Sequence, residues 1–293
     1  MRQIGLTAAI AILVSNMVGT GVFTSLGLQV AATHTGFALL ALWAIGGLLA
    51  LCGAACYSEL GAAMPRSGGE YVYLSDTFHP FLGFLGGWVS LTVGFAAPIA
   101  LAGIAFGHYA SVFLPLSQRQ ASLVAIVALT LIHAASLRLA RWFQVGVTTL
   151  VVLLIATFIA AAIWYPHPVT IGFAPTRGAL GEMAQPEFAV SLIYVSYAYS
   201  GWNAAGYVAG EITEPEQNIP RALLLGTALV TVLYVLLNWA FLRTVPIARL
   251  DNVVEVAALS ATQIFGPIGG RAMSAIIAIV MIGSMSGFVL AGS

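Results

Sequence analysis

Two short stretches carry the residues best placed to bind something. They are Met17-Val18-Gly19-Thr20-Gly21-Val22-Phe23 and Tyr197-Ala198-Tyr199-Ser200-Gly201-Trp202-Asn203. Each lies inside an apolar run of membrane-helix length, and each sets glycine beside a hydroxyl where a helix would have to hold. Glycine costs a helix about 1 kcal/mol against alanine. An unwound turn at membrane depth frees N–H and C=O groups, which are tolerated only where they line a cavity or are buried in protein. The chemistry expected of both stretches is ligation by peptide groups. Taken alone, Gly19 and Gly21 also read as a small-residue patch for close helix packing; their pairing with Ser200-Gly201 is what favours a site.

The elements that must position these stretches are membrane helices. The chain of 293 residues is 60% hydrophobic and only 7% charged, against about 25% charged in soluble domains, so it cannot coat a water-facing surface. Apolar runs long enough to span, needing about 20 residues each, fall at 5–30, 37–60, 81–112, 121–137, 143–165, 187–211, 221–244 and 270–292. The two interrupted runs are the first and the sixth. If residues 1–165 form a five-helix repeat and 187–293 part of an inverted copy, the interruptions occupy corresponding places, the pattern that marks a midplane site. All the basic residues are arginine and net charge is zero, so no nucleic-acid partner is expected. With a cytoplasmic N-terminus, Arg2, Arg66, Arg138, Arg141 and Arg221 fall inside and Arg119, Arg177, Arg243, Arg249 and Arg271 outside. That balance fixes no orientation by the positive-inside rule.

Between the spans, Pro65 stops the second helix, Gly68-Gly69 turn the chain, and the residues after them form a short amphipathic helix. Arg138, Arg141 and Trp142 read as an interfacial turn. The proline- and glycine-rich stretch from Pro166 to Pro186 reads as an external loop, and Val253 to Phe265 as an amphipathic surface lid. Pro220 suits the first turn of the seventh helix. Cys52 and Cys56 lie one turn apart with no His or carboxylate beside them in sequence, so they are read as small core residues, with no metal site. The five histidines fall mostly at span ends, where an interfacial role is expected. An intramembrane hydrolase built on Ser200 needs a general base, and no mid-span His or Asp supplies one. A channel filter would show polar rings, and none is present. No enzymatic role and no cofactor are expected.

Tyr57-Ser58-Glu59-Leu60-Gly61 with Pro65-Arg66-Ser67-Gly68-Gly69-Glu70-Tyr71, Gly19-Thr20-Gly21-Val22-Phe23, and Tyr199-Ser200-Gly201-Trp202-Asn203 with Gly210-Glu211 and Pro215 to Arg221 together resemble the motifs of the amino acid–polyamine–organocation (APC) permeases. The resemblance covers the first two-thirds of the chain. It implies an all-α polytopic membrane protein with a LeuT-type inverted-repeat fold, helices 1 and 6 broken, and a cytoplasmic N-terminus in a cell membrane, read as a bacterial inner membrane. It also implies secondary transport of amino acids or related amines; a polyamine transporter and a non-transporting sensor or fragment are the alternatives. Ending in the eighth span, the chain looks truncated, with the second repeat incomplete. Where many relatives carry a lysine in helix 5, alignment on Gln144 puts Val151 here, so the coupling ion, H⁺ or Na⁺, stays open.

On this reading the Thr20 and Gly21 amides, with the Thr20 hydroxyl, hold a substrate carboxylate at a helix N-terminus. The carbonyls of Met17, Tyr197 and Ser200 take the ammonium. Gly19, Ala198, Gly201 and Trp202 complete the site, with Trp202 divided between pocket wall and packing. Tyr197 is the candidate gate, or a core aromatic. Glu59, Glu70 and Glu211 with Arg66 and Arg221 form an inner-gate latch of ion pairs, or a solvated rim. Ser284 and Ser286 offer hydroxyls to a sodium ion, or bond to their own helix. With no acid lining the site, a neutral or apolar amino acid is favoured over a dibasic one.

Overall fold

The computed structural model describes residues 3–111, 113–135, 137–253 and 255–292. Arg2 and Ser293 lie outside the described residues, as do the side chains of Arg138 and Arg141. The protein is an all-α polytopic membrane protein. Among the described residues six helices are long and apolar enough to cross a bilayer: Gly36–Ala63, Pro80–Ala110, Gln118–Ala135, Trp142–Ile163, Pro215–Thr244 and Val256–Gly292.

The first apolar run is interrupted. Helix α1, Leu6–Met17, stops at Val18 and Gly19, both extended (φ/ψ −76/95 and −137/−153). Helix α2, Thr20–Thr24, resumes and passes through Ser25, itself in helical geometry, into α3, Leu26–Gln29. The first half is buried on nearly every side, from Ala8 to Met17, so this run is a central post. After α4 (Gly36–Ala63) and α5 (Glu70–Thr77), a third span forms from α6 (Pro80–Val89), a π-helical turn at Ser90–Ala96, and α7 (Ala97–Ala110). Pro98 sits at the start of α7 and lacks the N–H that the Gly94 carbonyl would take in α-helical register. A register shift towards i→i+5 bonding, seen in the Ala97 N–H to Thr92 carbonyl bond, is a usual answer.

Helices α8 (Gln118–Ala135) and α9 (Leu137–Ile163) follow. The external loop then holds a short helix, α10 (Arg177–Met183), whose Glu182 accepts bonds from both the amide and the hydroxyl of Thr35, the residue capping α4. Next come α11 (Pro186–Ala198), a run of turns, and α12 (Ala204–Tyr207), so the sixth run is interrupted as well. Helix α13 (Pro215–Thr244) packs along α4 and α1, and α14 (Val256–Gly292) along α7, α9 and α1.

Three expectations change. Pro215, not Pro220, opens the helix after the sixth run, with Glu214 at φ +46 before it. Pro220 lies a turn inside, where the carbonyl it leaves unbonded belongs to the exposed Glu216 and meets water. Val253 to Phe265 is not a free lid. A helix starts at Val256 with Val256, Ala257, Ser260 and Ala261 buried, and it joins the last span across a kink at Gly266, φ +74. Ser260 meets Thr244 of α13 at 2.5 Å, which explains why that amphipathic face turns inward. Cys52 and Cys56 are exposed rather than core. They share the exposed face of α4.

Candidate functional site

The two breaks meet. A Cβ added at Gly21 would stand 2.8 Å from Ala198 Cβ and 2.9 Å from its Cα, so the start of α2 lies directly against the end of α11. On the far side of the break, Gly201 has φ +98 and its Cα faces the Asn16 carbonyl, 2.8 Å from a would-be Cβ. Both conditions exclude a side chain: the left-handed region disfavours L residues, and the space is filled by backbone. These two glycines are what allow the unwound turns to touch.

Between them lies a cavity of about 30 Å³. Of the residues named from sequence, Met17, Gly19, Thr20, Gly21, Tyr197, Ala198, Ser200 and Ser284 line it; Asn16, Pro98, Leu101, Ala102 and Phe288 complete the wall. No ionised side chain is among them. A water molecule needs roughly 10–15 Å³ of such space, so the cavity has room for about two waters and the half-helices must part to admit anything larger. Tyr197, half exposed, stands at its edge.

Peptide polarity at the cavity is uneven. The first amides of α2 have no helical carbonyl four residues back, and they sit at the positive end of the ten-residue stretch of α2 and α3. On the opposite side the carbonyls differ in how far they are already used. Tyr197 O accepts both the Ser200 amide at 3.0 Å and the Ser200 hydroxyl at 2.7 Å, so both its lone pairs are engaged. It is the least available of the carbonyls proposed for a cation.

Tyr234 on α13 is the residue sequence reasoning missed. It is fully buried, and its hydroxyl stands 2.6 Å from Met17 O and 3.1 Å from Ala198 O, the last carbonyls of the two half-helices. A single phenol thus clamps both breaks. Tyr234 packs at 5.5 Å edge-on to Trp43 and at 4.9 Å from Tyr199, and the Tyr199 hydroxyl donates to the Trp43 carbonyl at 2.9 Å. Trp43 in turn donates to Gln29 at 3.0 Å. The signal available in the sequence was a phenol in the middle of a mostly apolar helix.

Trp202 lies away from the cavity. Its ring packs edge-on against Tyr57 at 4.9 Å and over Gly53, where a Cβ would come within 2.6 Å. It therefore resolves as packing against α4. Trp202→Ala is expected to leave the Km for substrate unchanged while lowering stability by about 3 kcal/mol, the range for removing a large core aromatic. Thermal unfolding and concentration-dependent uptake, measured side by side, check this.

Ser284 and Ser286 do not converge on one ion. Two residues apart on a helix they point about 200° from each other. Ser284 borders the cavity, with its Oγ 3.3 Å from a would-be Gly19 Cβ. Ser286 donates to Gln144 Oε1 at 2.6 Å. Val151 is buried and lines a small gap with Val14, Val18 and Ser284 beneath the first break.

The inner-gate group is joined by neutral donors instead of ion pairs. Among the described residues Arg66 pairs with Asp76, and Glu59, Glu211 and Arg221 are exposed. Exposed pairs are worth about 0–1 kcal/mol, and these heads gain more from water. Glu70 behaves differently. Its Oε1 accepts from the Tyr57 hydroxyl at 3.0 Å and from Asn203 Nδ2 at 2.5 Å, linking α4, α5 and the turn before α12. Burial, with the Glu70 charge added, pushes the nearby Tyr73 hydroxyl up to about 12, so it stays protonated at neutral pH. Ser67 Oγ accepts the Gly210 amide at 2.9 Å, and the Gly68 amide donates to Tyr207 O at 3.1 Å, closing the same end.

Comparison with known proteins follows this geometry. The chain is 28% identical over 293 residues to the serine/threonine exchanger SteT of Bacillus subtilis (strain 168), covering 99% of this chain and 66% of that protein. It is 31% identical over 268 residues to the mouse large neutral amino acids transporter small subunit 2, covering 87% of this chain and 50% of that one. It is 29% identical over 280 residues to the mouse b(0,+)-type amino acid transporter 1, covering 91% and 56%. The chain therefore spans about half to two thirds of the length of the curated relatives it matches. The family profile described as amino acid permease matches residues 4–293. With that match running through both interrupted spans, this chain belongs to the amino acid permease family within the APC superfamily.

Proposed function

We propose that the whole protein is a secondary transporter or exchanger that moves amino acids across a membrane by alternating access, and that it is not an enzyme. The observation that carries this is the meeting of two unwound turns at one cavity free of ionised side chains. A zwitterion there is neutralised by peptide groups alone. The Thr20 and Gly21 amides, with the Thr20 hydroxyl, take the carboxylate. The second lone pair of Met17 O and the Ser200 carbonyl take the ammonium, since Tyr197 O is already bonded twice. The names of the relatives, an exchanger and two amino acid transporters, agree with this substrate class. Residues 1–165 are read as the first repeat and 187–293 as part of the second, with a cytoplasmic N-terminus in the cell membrane. Tyr197 at the cavity edge is the gate, and Glu70 with Tyr57 and Asn203 is the inner latch.

The wall contributed by Leu101, Ala102, Pro98 and Phe288 is apolar, which favours a neutral or apolar side chain. In proteoliposomes, uptake of labelled leucine is expected to be competed by unlabelled leucine and alanine and not by arginine. Equal competition by arginine would overturn the neutral preference. Binding without flux would identify a sensor, and competition by a polyamine an organic-amine carrier.

A further inference from the structure

Four helices meet at a file of hydrogen bonds separate from the cavity. Thr148 on α9 donates to the Ala11 carbonyl of α1 at 3.2 Å, and Gln144 Nε2 donates to Thr148 Oγ1 at 3.1 Å. Ser286 on α14 donates to Gln144 Oε1 at 2.6 Å, and His133 Nε2 on α8 lies 2.8 Å from Ser286 Oγ. Gln144, Thr148 and Ser286 are all buried.

The direction of each bond follows from the one before it. A carbonyl only accepts, so the Thr148 proton goes to Ala11 O. Thr148 Oγ1 must then accept, which turns the Gln144 nitrogen towards it and the Gln144 oxygen towards Ser286. Ser286 gives its single proton to that oxygen, so His133 Nε2 has to be the donor. The neutral imidazole is thereby fixed with its proton on Nε2 and a bare lone pair on Nδ1. Among the described residues that Nδ1 is buried and has no hydrogen-bond partner. It is the one atom of the file that can gain a proton without any bond breaking.

We propose that His133 Nδ1 is a proton-binding site whose occupancy acts on α1, making the proton the ion to which this carrier responds. One proton from the aqueous phase forms one N–H bond and leaves an imidazolium of single positive charge. A charged donor makes the stronger hydrogen bond to Ser286, and the file polarises in one direction towards Ala11 O, in the half-helix that ends at the first break. The amide of Gln144 passes no proton onward, so the file works as a lever on helix position and not as a conducting wire.

The charged and titratable groups on the elements packed against α8, namely α7, α9 and α14, leave this site to itself where they are described. His108 sits with Tyr109 at the end of α7 that abuts Gln118, at the opposite end of α8, and His108 pairs with Glu255. Arg119, on α8 itself, is about 21 Å along the helix from His133, and Arg271 is about 22 Å along α14 from Ser286. Arg138 and Arg141 follow on α9, with side chains outside the described residues.

The test has a readout independent of transport, because the coupling half of the proposal rests on the transport reading above. In ¹⁵N-histidine-labelled full chain in lipid, the His133 signal is assigned by its loss in His133→Gln. It is expected as the Nε2–H tautomer at high pH, gaining a proton at Nδ1 as the pH is lowered. An Nδ1–H tautomer, or no protonation at Nδ1 while the chain stays folded, overturns the site. In proteoliposomes, leucine exchange is expected to change several-fold as the pH is lowered in the wild type and to be flat in His133→Gln. Ser286→Ala, which keeps the imidazole and cuts the file, is expected to keep the NMR titration and lose the pH dependence of exchange. Exchange that keeps its pH profile in both variants overturns the coupling. A titrating His133 in a chain that moves no amino acid refutes the transport reading and leaves the proton site standing.

Discussion

Gly21→Leu is expected to abolish amino acid uptake by well-expressed, membrane-inserted protein, and Gly21→Ala to lower it by about a hundredfold. The space at Gly21 decides the sign. A methyl there meets Ala198 Cβ at 2.8 Å and Ala198 Cα at 2.9 Å, and neither is the end of a flexible side chain. The half-helices must move apart by roughly 0.6–1.2 Å for alanine, from 2.8 Å to ordinary contact at 3.4–4 Å, and by much more for leucine. The amides of Thr20 and Gly21 then leave the position from which they face the carbonyls across the cavity. Displacement of binding groups by about 1 Å costs on the order of a hundredfold where geometry carries function. Uptake of labelled leucine, normalised to protein in the membrane, reads the result directly. Wild-type uptake by Gly21→Leu would refute the site.

Tyr234→Phe is expected to reduce uptake by about tenfold or more and to lower the unfolding free energy by about 1–3 kcal/mol. The substitution removes one hydroxyl and leaves its packing against Trp43 and Tyr199 intact. Met17 O and Ala198 O lose a shared donor at the wall of the cavity between the breaks. Leaving buried acceptors unsatisfied costs about 1–3 kcal/mol, and here the lost bonds are also what hold the two breaks in register. Both measurements are needed: lowered stability with unchanged uptake would make Tyr234 a packing residue, while loss of both supports the clamp. Tyr199→Phe is the control, since its hydroxyl bonds to the Trp43 carbonyl and to Thr231 of α13.

The breaks were legible because glycine beside a hydroxyl inside an apolar run breaks a local rule, and a local rule needs only local sequence. Gly19, Gly21, Ser200 and Gly201 were found that way, and so was the turn at Gly68-Gly69. What escaped depended on partners distant in the chain. Tyr234 is one of four hydroxyls in a thirty-residue, mostly apolar helix, and nothing near it in sequence says that two carbonyls, from residues 17 and 198, converge on it. Trp202 was ambiguous for the same reason: an aromatic next to a break reads equally as wall or packing until Gly53 is seen beneath it. The π-turn at Ser90–Ala96 follows from Pro98 only once the helix is known to continue through it. His133 was read as interfacial from its place near the end of a short span, and only the position of Ser286 reveals that its ring points inward.

Ahead of α1 the chain makes a small attachment. Ile4 and Ile212 form an isolated parallel bridge, with the Gln3 and Ile4 amides donating to Glu211 O at 2.9 Å and the Thr213 amide to Ile4 O at 2.9 Å. The polypeptide entering the first half-helix is thus stitched to the polypeptide leaving the second break. A tilt of α1 would pull on residues 209–214 through that stitch, and through the Gly210–Ser67 bond on the turn ahead of Glu70. The residues ahead of α1 therefore tie three segments into one seam, so that load on any of them is shared by the others.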